Sequence, residues 1–194
     1  MISTPSLVIE LLECLQNLGI RFIVGGSFAS SAWGQPRQTN DLDLAVLLNP
    51  TEIQNLHEAT RHDYMGSKSQ MLDALESAEE FRSFQLLHFE ETFKIDFFVL
   101  NPSEYVSESL SRAQRYELAP GRSFPFACPE DTVITKLRWF VLGNKVSDKQ
   151  WNDIVQVLEI QQGQLDEAFL DKWARFFGVF DLLVEARSQV VPTA

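Results

Sequence analysis

Two short runs of sequence indicate the fold: Phe22-Ile-Val-Gly-Gly-Ser27 and, after thirteen intervening residues, Asp41-Leu-Asp43-Leu-Ala-Val46. The first run has β-strand composition up to its two glycines, and Ser27 is a residue type that caps helices. Glycines let the backbone approach a ligand closely, and a helix N-terminus presents free N–H groups that favour phosphate. This run therefore predicts a strand, a phosphate-binding turn and a helix.

The second run carries two carboxylates, and a third follows in Lys94-Ile-Asp96-Phe-Phe98. Asp41 and Asp43 lie two residues apart on a predicted strand, so their side chains project from the same face. Carboxylates held this close repel one another, and a divalent cation such as Mg²⁺ or Mn²⁺ removes the repulsion. If the Asp96 strand is a neighbour, the three carboxylates can hold two metal ions about 3.5–4 Å apart.

The Gly-Gly-Ser turn, the Asp-x-Asp strand and the later Asp together resemble the polymerase-β-like nucleotidyltransferase superfamily. The segment Arg37-Gln-Thr39-Asn-Asp41 is similar to the small bacterial members, which are uncharacterised or linked to toxin–antitoxin pairs. So are Pro129 through Leu137 and the pieces Asp148-Lys149 and Trp151-Asn-Asp153-Ile154. The resemblance covers residues 20 to 155 and implies a nucleotidyltransferase fold, an α+β (α/β) mixed sheet flanked by helices.

The resemblance also implies an activity: transfer of a nucleoside monophosphate from a nucleoside triphosphate such as ATP to a hydroxyl on a protein, an RNA or a small molecule, with release of pyrophosphate. The implied catalytic and metal-binding residues are the three carboxylates, Asp41, Asp43 and Asp96. The implied nucleotide-binding residues are Gly25, Gly26, Ser27, Arg37 and Lys136. The implied cofactor is Mg²⁺ or Mn²⁺.

Each of these residues also has a simpler interpretation. Asp41, Asp43 and Asp96 fit the exposed face of half-buried strands, because their neighbours alternate with them as apolar residues. Lys136 fits a solvated helix position, as most lysines do. For the whole chain, the alternative function is a non-catalytic binding partner with this fold in a toxin–antitoxin-type pair.

The rest of the chain predicts mostly helices around these strands. Asn49-Pro50-Thr51-Glu52 is a capping box with proline at the first helical position. Phe84 to Phe89 and Phe93 to Leu100 predict a hairpin, and Phe124 to Ala127 a last short strand. From residue 129 onward the pattern is helical. We expect a nucleotidyltransferase core over residues 1–127 and a helical extension over 128–194 that packs on it.

Composition limits the partners and the location. With 16 basic and 27 acidic residues, the formal net charge is −11, which disfavours broad nonspecific nucleic-acid binding. Cys14 and Cys128 have neither a disulfide pattern nor zinc-site spacing. No window suits a membrane span, and the N-terminus lacks a signal-peptide pattern. We therefore expect a cytoplasmic protein that binds a nucleoside triphosphate, an unidentified acceptor and a protein partner.

Overall fold

Seven strands form one mixed sheet in the computed structural model, which describes residues 5–79 and 81–191. In chain order the strands are β1 (Arg21–Val24), β2 (Asp41–Leu47), β3 (Tyr64–Met65), β4 (Ser83–His88), β5 (Lys94–Val99), β6 (Gln114–Ala119) and β7 (Arg122–Phe126). Their spatial order is β3-β4-β5-β2-β1-β7-β6. The outer ends of the two predicted parts, residues 1–4 and 192–194, lie outside the described residues.

Helices precede, separate and follow these strands along the chain. They are α1 (Ser6–Asn17), α2 (Gly26–Trp33), α3 (Pro50–Thr60), α4 (Lys68–Glu76), α5 (Glu104–Arg112), α6 (Pro129–Leu142), α7 (Asp148–Ile160), α8 (Glu167–Phe176) and α9 (Phe180–Ser188). The predicted capping box is confirmed at α3. The Asn49 side chain accepts from two backbone N–H groups, and the Glu52 carboxylate accepts from the backbone N–H of Asn49. Within the described residues, no helix is long and apolar enough to span a membrane.

The centre of the sheet sets two aspartate-bearing strands side by side. β2 is parallel to β5 and antiparallel to β1, and the predicted hairpin of β4 and β5 is confirmed as an antiparallel pair. The register places Asp43 directly beside Asp96 and Asp41 beside Lys94. The condition set by the sequence, that the Asp96 strand be a neighbour of the Asp41 strand, is met.

The two faces of β2 and β5 differ sharply in character. Leu42, Leu44 and Val46 are fully buried, and the matching β5 residues Ile95 and Phe97 are buried with them. They share one hydrophobic cluster with buried residues of α1, α3 and α4. This apolar face anchors the strands, so the opposite face carries the alternating polar residues into the space near α6.

Some local details differ from what the sequence predicts. Helix α2 begins at Gly26 with Gly25 as its N-cap, so Ser27 lies inside the first turn and does not cap it. Helix α7, which begins at Asp148, is capped by Ser147, whose hydroxyl accepts from the N–H of Gln150. Strands β3 and β6 were not predicted, since β3 has only two residues and β6 is an edge strand with mostly exposed or half-exposed side chains.

Residues of α6 to α9 enclose a second hydrophobic cluster of their own. It contains Val133, Leu137, Ile154 and Leu170, all fully buried. Trp33, at the end of α2, packs against both this cluster and the sheet cluster. The helical composition expected beyond residue 128 is therefore present, while the domain boundary itself stays a prediction.

Candidate active site

Three carboxylates meet on the polar face of β2 and β5, and we call Asp41, Asp43 and Asp96 the carboxylate edge. Strand pairing places Asp43 and Asp96 at the same level, and alternation places Asp41 on the same face. Asp96 is buried, and Asp41 and Asp43 are half-buried. The interpretation of Asp96 as an exposed strand residue is therefore wrong.

The carboxylate edge carries an excess of negative charge. Burial, followed by the charges of Asp41 and Asp96, raises the pKa of Asp43 to about 6, although Lys136 and Lys94 act in the lowering direction. A carboxyl whose pKa rises is one whose ionised form lacks a sufficient counter-charge. Clustered carboxylate oxygens are the donors that Mg²⁺ and Mn²⁺ prefer, so the residues present fit a divalent cation.

Two of these carboxylates have polar partners within the chain. The Thr39 hydroxyl donates to Asp41 Oδ1, and Lys94 Nζ lies 2.6 Å from Asp96 Oδ2. The hydrogen bond to Asp96, opposed by burial and helped by the charges of all three carboxylates, raises the pKa of Lys94. Within residues 5–79 and 81–191, no group of three or more Asp, Glu, His or Cys side chains is arranged so that it could hold a metal ion.

The glycine turn packs directly against the carboxylate edge. The Gly25 N–H donates to the backbone oxygen of Asp43 at 2.9 Å, which ties the start of α2 to β2. Gly26 has a φ of 53°, and a Cβ there would lie 1.7 Å from Asp43 Oδ2. Only glycine satisfies both the backbone angle and the space, so the turn and the aspartate are matched to each other.

A second group of charges, which we call the cation cluster, comprises Arg37, Lys136 and Asp153. Asp153 accepts from Arg37 Nε at 2.9 Å and from Arg37 Nη2 at 2.7 Å, a two-pronged arrangement. Lys136 Nζ donates to the same carboxylate at 2.8 Å, and Arg37 Nη2 reaches Ser27 Oγ at 2.6 Å. These contacts join the loop before β2, helix α6, helix α7 and the first turn of α2.

The cation cluster is electrostatically satisfied, in contrast to the carboxylate edge. Burial alone would raise the pKa of Asp153, but the hydrogen bond from Arg37 and the charge of Lys136 outweigh it and hold the pKa below its usual range. Two cations against one anion leave a net charge of about +1 beside the glycine turn. Lys136 is buried, so its interpretation as a solvated helix residue is wrong.

The carboxylate edge and the two cations of the cation cluster, Arg37 and Lys136, line one cavity of about 1140 Å³. Part of its lining is aromatic: the ring centroid of Trp139 lies 4.8 Å from that of Phe81 and 5.3 Å from that of Phe98. The Arg138 guanidinium lies 4.9 Å from the Phe81 ring centroid and 3.9 Å from that of Phe177. The cavity thus offers aromatic rings and a further cation, Arg138, in addition to the carboxylates, Arg37 and Lys136.

All eight residues predicted for the site line this cavity, namely Gly25, Gly26, Ser27, Arg37, Asp41, Asp43, Asp96 and Lys136. Their chemical roles stay predictions. The sequence analysis missed Lys94 and gave Asp153 no role, although both residues lie in the segments that contain the motifs. Two signals were available: Lys94 lies two residues before Asp96, and Asp153 lies in a motif that follows the helix carrying Lys136.

A family model described as "Nucleotidyl transferase AbiEii toxin, Type IV TA system" matches residues 10–189. That span contains both the carboxylate edge and the cation cluster. No curated protein sequence matches the chain significantly. The family match confirms the resemblance to nucleotidyltransferases that the sequence motifs indicated.

Solved structures show the same fold. ANT(2")-Ia in complex with adenylyl-2"-tobramycin is similar with a TM-score of 0.59, at 12% identity over 89% of this chain and 97% of its own. Lincomycin-bound LnuA, a lincosamide antibiotic adenylyltransferase, gives 0.52 at 12% identity over 82% of this chain and 99% of its own. An antigenic nucleotidyltransferase-like protein from Paracoccidioides brasiliensis gives 0.51 at 17% identity over 97% and 93%. The predicted fold class is confirmed.

Proposed function

The chain belongs to the AbiEii nucleotidyl transferase family, and we propose that it moves a nucleoside monophosphate from a nucleoside triphosphate to a hydroxyl acceptor, releasing pyrophosphate. One cavity holds the carboxylate edge, whose negative charge Lys94 offsets only in part, together with the cations Arg37 and Lys136 beside the glycine turn, and this juxtaposition supports the proposal. A metal-bound triphosphate has the complementary pattern of charge.

The triphosphate binds, in this proposal, between the glycine turn and the cation cluster. Gly25 and Gly26 bring the backbone close to the phosphates, and the first turn of α2 offers free N–H groups. Arg37 and Lys136 supply positive charge, held in place by Asp153. Because these groups are fixed before substrate arrives, they stabilise charge that develops on the leaving pyrophosphate without rearranging.

Asp41 and Asp43 hold the divalent cation, Mg²⁺ or Mn²⁺, in this proposal. When bound, the cation neutralises phosphate charge and orients the reacting phosphorus for in-line attack. Asp96, on the adjacent strand, orients the attacking hydroxyl and accepts its proton. The chain's contribution is therefore mainly positioning and electrostatics, as in other phosphoryl transfers.

The aromatic part of the cavity lining is where we place the acceptor. Trp139 and Phe81, whose rings are tilted by 48° to each other, and the nearby Arg138 guanidinium offer aromatic and cationic surface that suits a ring-bearing group. Acceptors of three kinds, a protein, an RNA or a small molecule, carry the hydroxyl that the reaction needs. Among the structural neighbours, LnuA has lincomycin bound and ANT(2")-Ia has an adenylylated tobramycin, so small molecules belong in the test set.

The family description also names a toxin–antitoxin system, and we propose that this chain is the toxin of such a pair, with an antitoxin protein as its counterpart. Cys14 and Cys128 are free thiols, which fits the reducing cytoplasm where nucleoside triphosphates are abundant. The alternative is a protein that keeps the fold and acts only by binding.

The decisive experiment offers the protein each α-labelled nucleoside triphosphate with Mg²⁺ or Mn²⁺ and a cell lysate. We expect label on one acceptor class with the wild type and none with Asp41→Ala/Asp43→Ala. A control, Asp148→Ala/Asp181→Ala, removes two exposed carboxylates and should transfer normally. Absence of label together with absence of any nucleotide-induced rise in melting temperature would favour the binding-only alternative.

A further inference from the structure

Lys94 lies among the three carboxylates on the polar face of the sheet. Its Cα pairs with that of Asp41 across β2 and β5, and it stands two residues before Asp96 on the same strand. Alternation therefore directs Lys94, Asp41, Asp43 and Asp96 to one face. The Lys94 ammonium lies 2.6 Å from Asp96 Oδ2, and Asp96 is buried while Lys94 is partly exposed.

The charge count at this face separates Asp96 from the other two carboxylates. Lys94 neutralises Asp96, since a charge-assisted bond to a buried carboxylate is among the stronger polar contacts. Lys136, the other lysine that influences Asp43, is already bound to Asp153. Asp41 and Asp43 are thus left with a net charge of about −2, which one divalent cation balances.

The arrangement of ligands agrees with this count. Across the described parts of the chain, 5–79 and 81–191, a metal-binding group of three or more acidic, His or Cys side chains is not formed. Asp96 is the carboxylate whose oxygen is committed to an ammonium group. The sequence alone predicted two metal ions shared by three aspartates, because it gave no reason to pair Asp96 with Lys94.

We propose that the Lys94 ammonium takes the place of a second metal ion, so that the site binds a single divalent cation on Asp41 and Asp43. This inference rests on the proposed function, since it concerns the same site. Lys94 is a positioning residue here: its ammonium group holds the Asp96 carboxylate within the cavity and keeps that carboxylate from joining the metal.

The test counts Mn²⁺ ions by native mass spectrometry on the full chain, with a non-hydrolysable analogue of the triphosphate that supports labelling. We expect one Mn²⁺ per protein–nucleotide complex for the wild type and for Lys94→Arg, which keeps the charge. We expect two for Lys94→Ala, because Asp96 is then free to act as a ligand. Lys149→Ala removes an exposed cation from the same cavity and should still bind one.

Two results would overturn the inference while leaving the proposed function intact: two Mn²⁺ ions in the wild type, or one in Lys94→Ala. Absence of Mn²⁺ from every variant would overturn the proposed function as well. If Lys94→Ala fails to fold, judged by its melting temperature, Lys94→Gln replaces it, since glutamine keeps the side-chain length without the charge.

Discussion

The carboxylate edge lines the same cavity as Arg37 and Lys136 of the cation cluster, yet the electrostatics of the two groups are opposite. At the carboxylate edge, burial and like charges raise the pKa of Asp43 to about 6. In the cation cluster, Asp153 has two cationic partners, and its pKa lies below the usual range. The first region needs a ligand to be satisfied, whereas the second is satisfied by the fold.

The carboxylate edge therefore depends on a ligand, whereas the cation cluster supports the structure of the free protein. A cluster of like charges destabilises the free protein and so favours a cation. Removing a buried, fully paired carboxylate that joins four segments destabilises the fold whether or not nucleotide is bound, because its cationic partners are left buried without a counter-charge. Substitutions in the cation cluster should therefore change stability without nucleotide, and substitutions at the carboxylate edge should change ligand binding.

The largest effect on stability is expected from Asp153→Ala. Removing this carboxylate leaves Lys136 buried without its partner and frees Arg37 from both of its bonds to Asp153. Breaking a buried ion pair from one side costs about 3 kcal/mol in free energy of unfolding. Urea denaturation without nucleotide measures the loss.

The control for that prediction is Asp148→Ala, which removes an exposed carboxylate from the first turn of the same helix, α7. Its effect should stay within about 0.5 kcal/mol, as for most surface substitutions. Equal losses in the two variants would mean that Asp153 does not hold the cluster together and that the contrast between the two regions is mistaken.

A smaller effect is expected where the glycine turn meets the carboxylate edge. Gly26→Ala and Gly19→Ala both place a Cβ at a positive φ, 53° and 70°, so each carries the same kind of backbone penalty. Only at Gly26 does the new Cβ collide with Asp43, whereas the space around Gly19 is open. We expect the free energy of unfolding of Gly26→Ala to be about 2 kcal/mol lower than that of Gly19→Ala.

Thermal or urea unfolding of the two alanine variants, side by side, measures that difference. Gly26→Ala should also lose nucleotide-dependent Mn²⁺ binding, because Asp43 must move to make room. Gly19→Ala should keep it. If the two variants matched in both stability and Mn²⁺ binding, the close fit between Gly26 and Asp43 would have no functional meaning.

The smallest effect is a pH dependence of opposite sign in the two regions, measured without metal. The pKa of Asp43 is raised, so between its ordinary value near 4 and about 6 the folded state holds a proton that the unfolded state has lost. The free energy of unfolding that this group contributes therefore falls as pH rises. Relative to the wild type, the free energy of unfolding of Asp43→Asn should increase by about 1 kcal/mol between about pH 5 and pH 7.

Asp153 should behave in the opposite way, because its pKa is lowered in the folded state. Its stabilising contribution is present above the ordinary carboxyl pKa and disappears as pH falls through the folded-state value. The loss caused by Asp153→Asn should therefore be constant near neutral pH and shrink in acid. Parallel pH profiles for the Asp43 and Asp153 variants would contradict the contrast.

The carboxylate edge was predictable because it depends on local rules. Strand alternation puts Asp41 and Asp43 on one face, and the β4–β5 hairpin follows from two apolar runs with a short polar connection. Only the pairing of β2 with β5 was left open by the sequence, and the resemblance to a known superfamily supplied the expected order.

The cation cluster was less accessible from the sequence, because one of its two ion pairs joins residues that are more than a hundred positions apart. Arg37 and Asp153 lie 116 positions from each other, and no periodicity links them. Lys94 was missed because a lysine on a strand carries no pattern of its own, and its meaning depends on the register with Asp41. Strand β6 was missed because its charged, mostly exposed residues resemble a loop.

Trp33 gives the fold a property that neither hydrophobic cluster has alone. Its side chain packs against both clusters, its indole N–H donates to the Ala127 carbonyl at 2.6 Å, and its own carbonyl accepts from Gln161. If either hydrophobic cluster unfolded, Trp33 would lose packing contacts that also help to order the other cluster. The stabilities of the two clusters are therefore coupled through Trp33, the last residue of the helix that begins at the glycine turn.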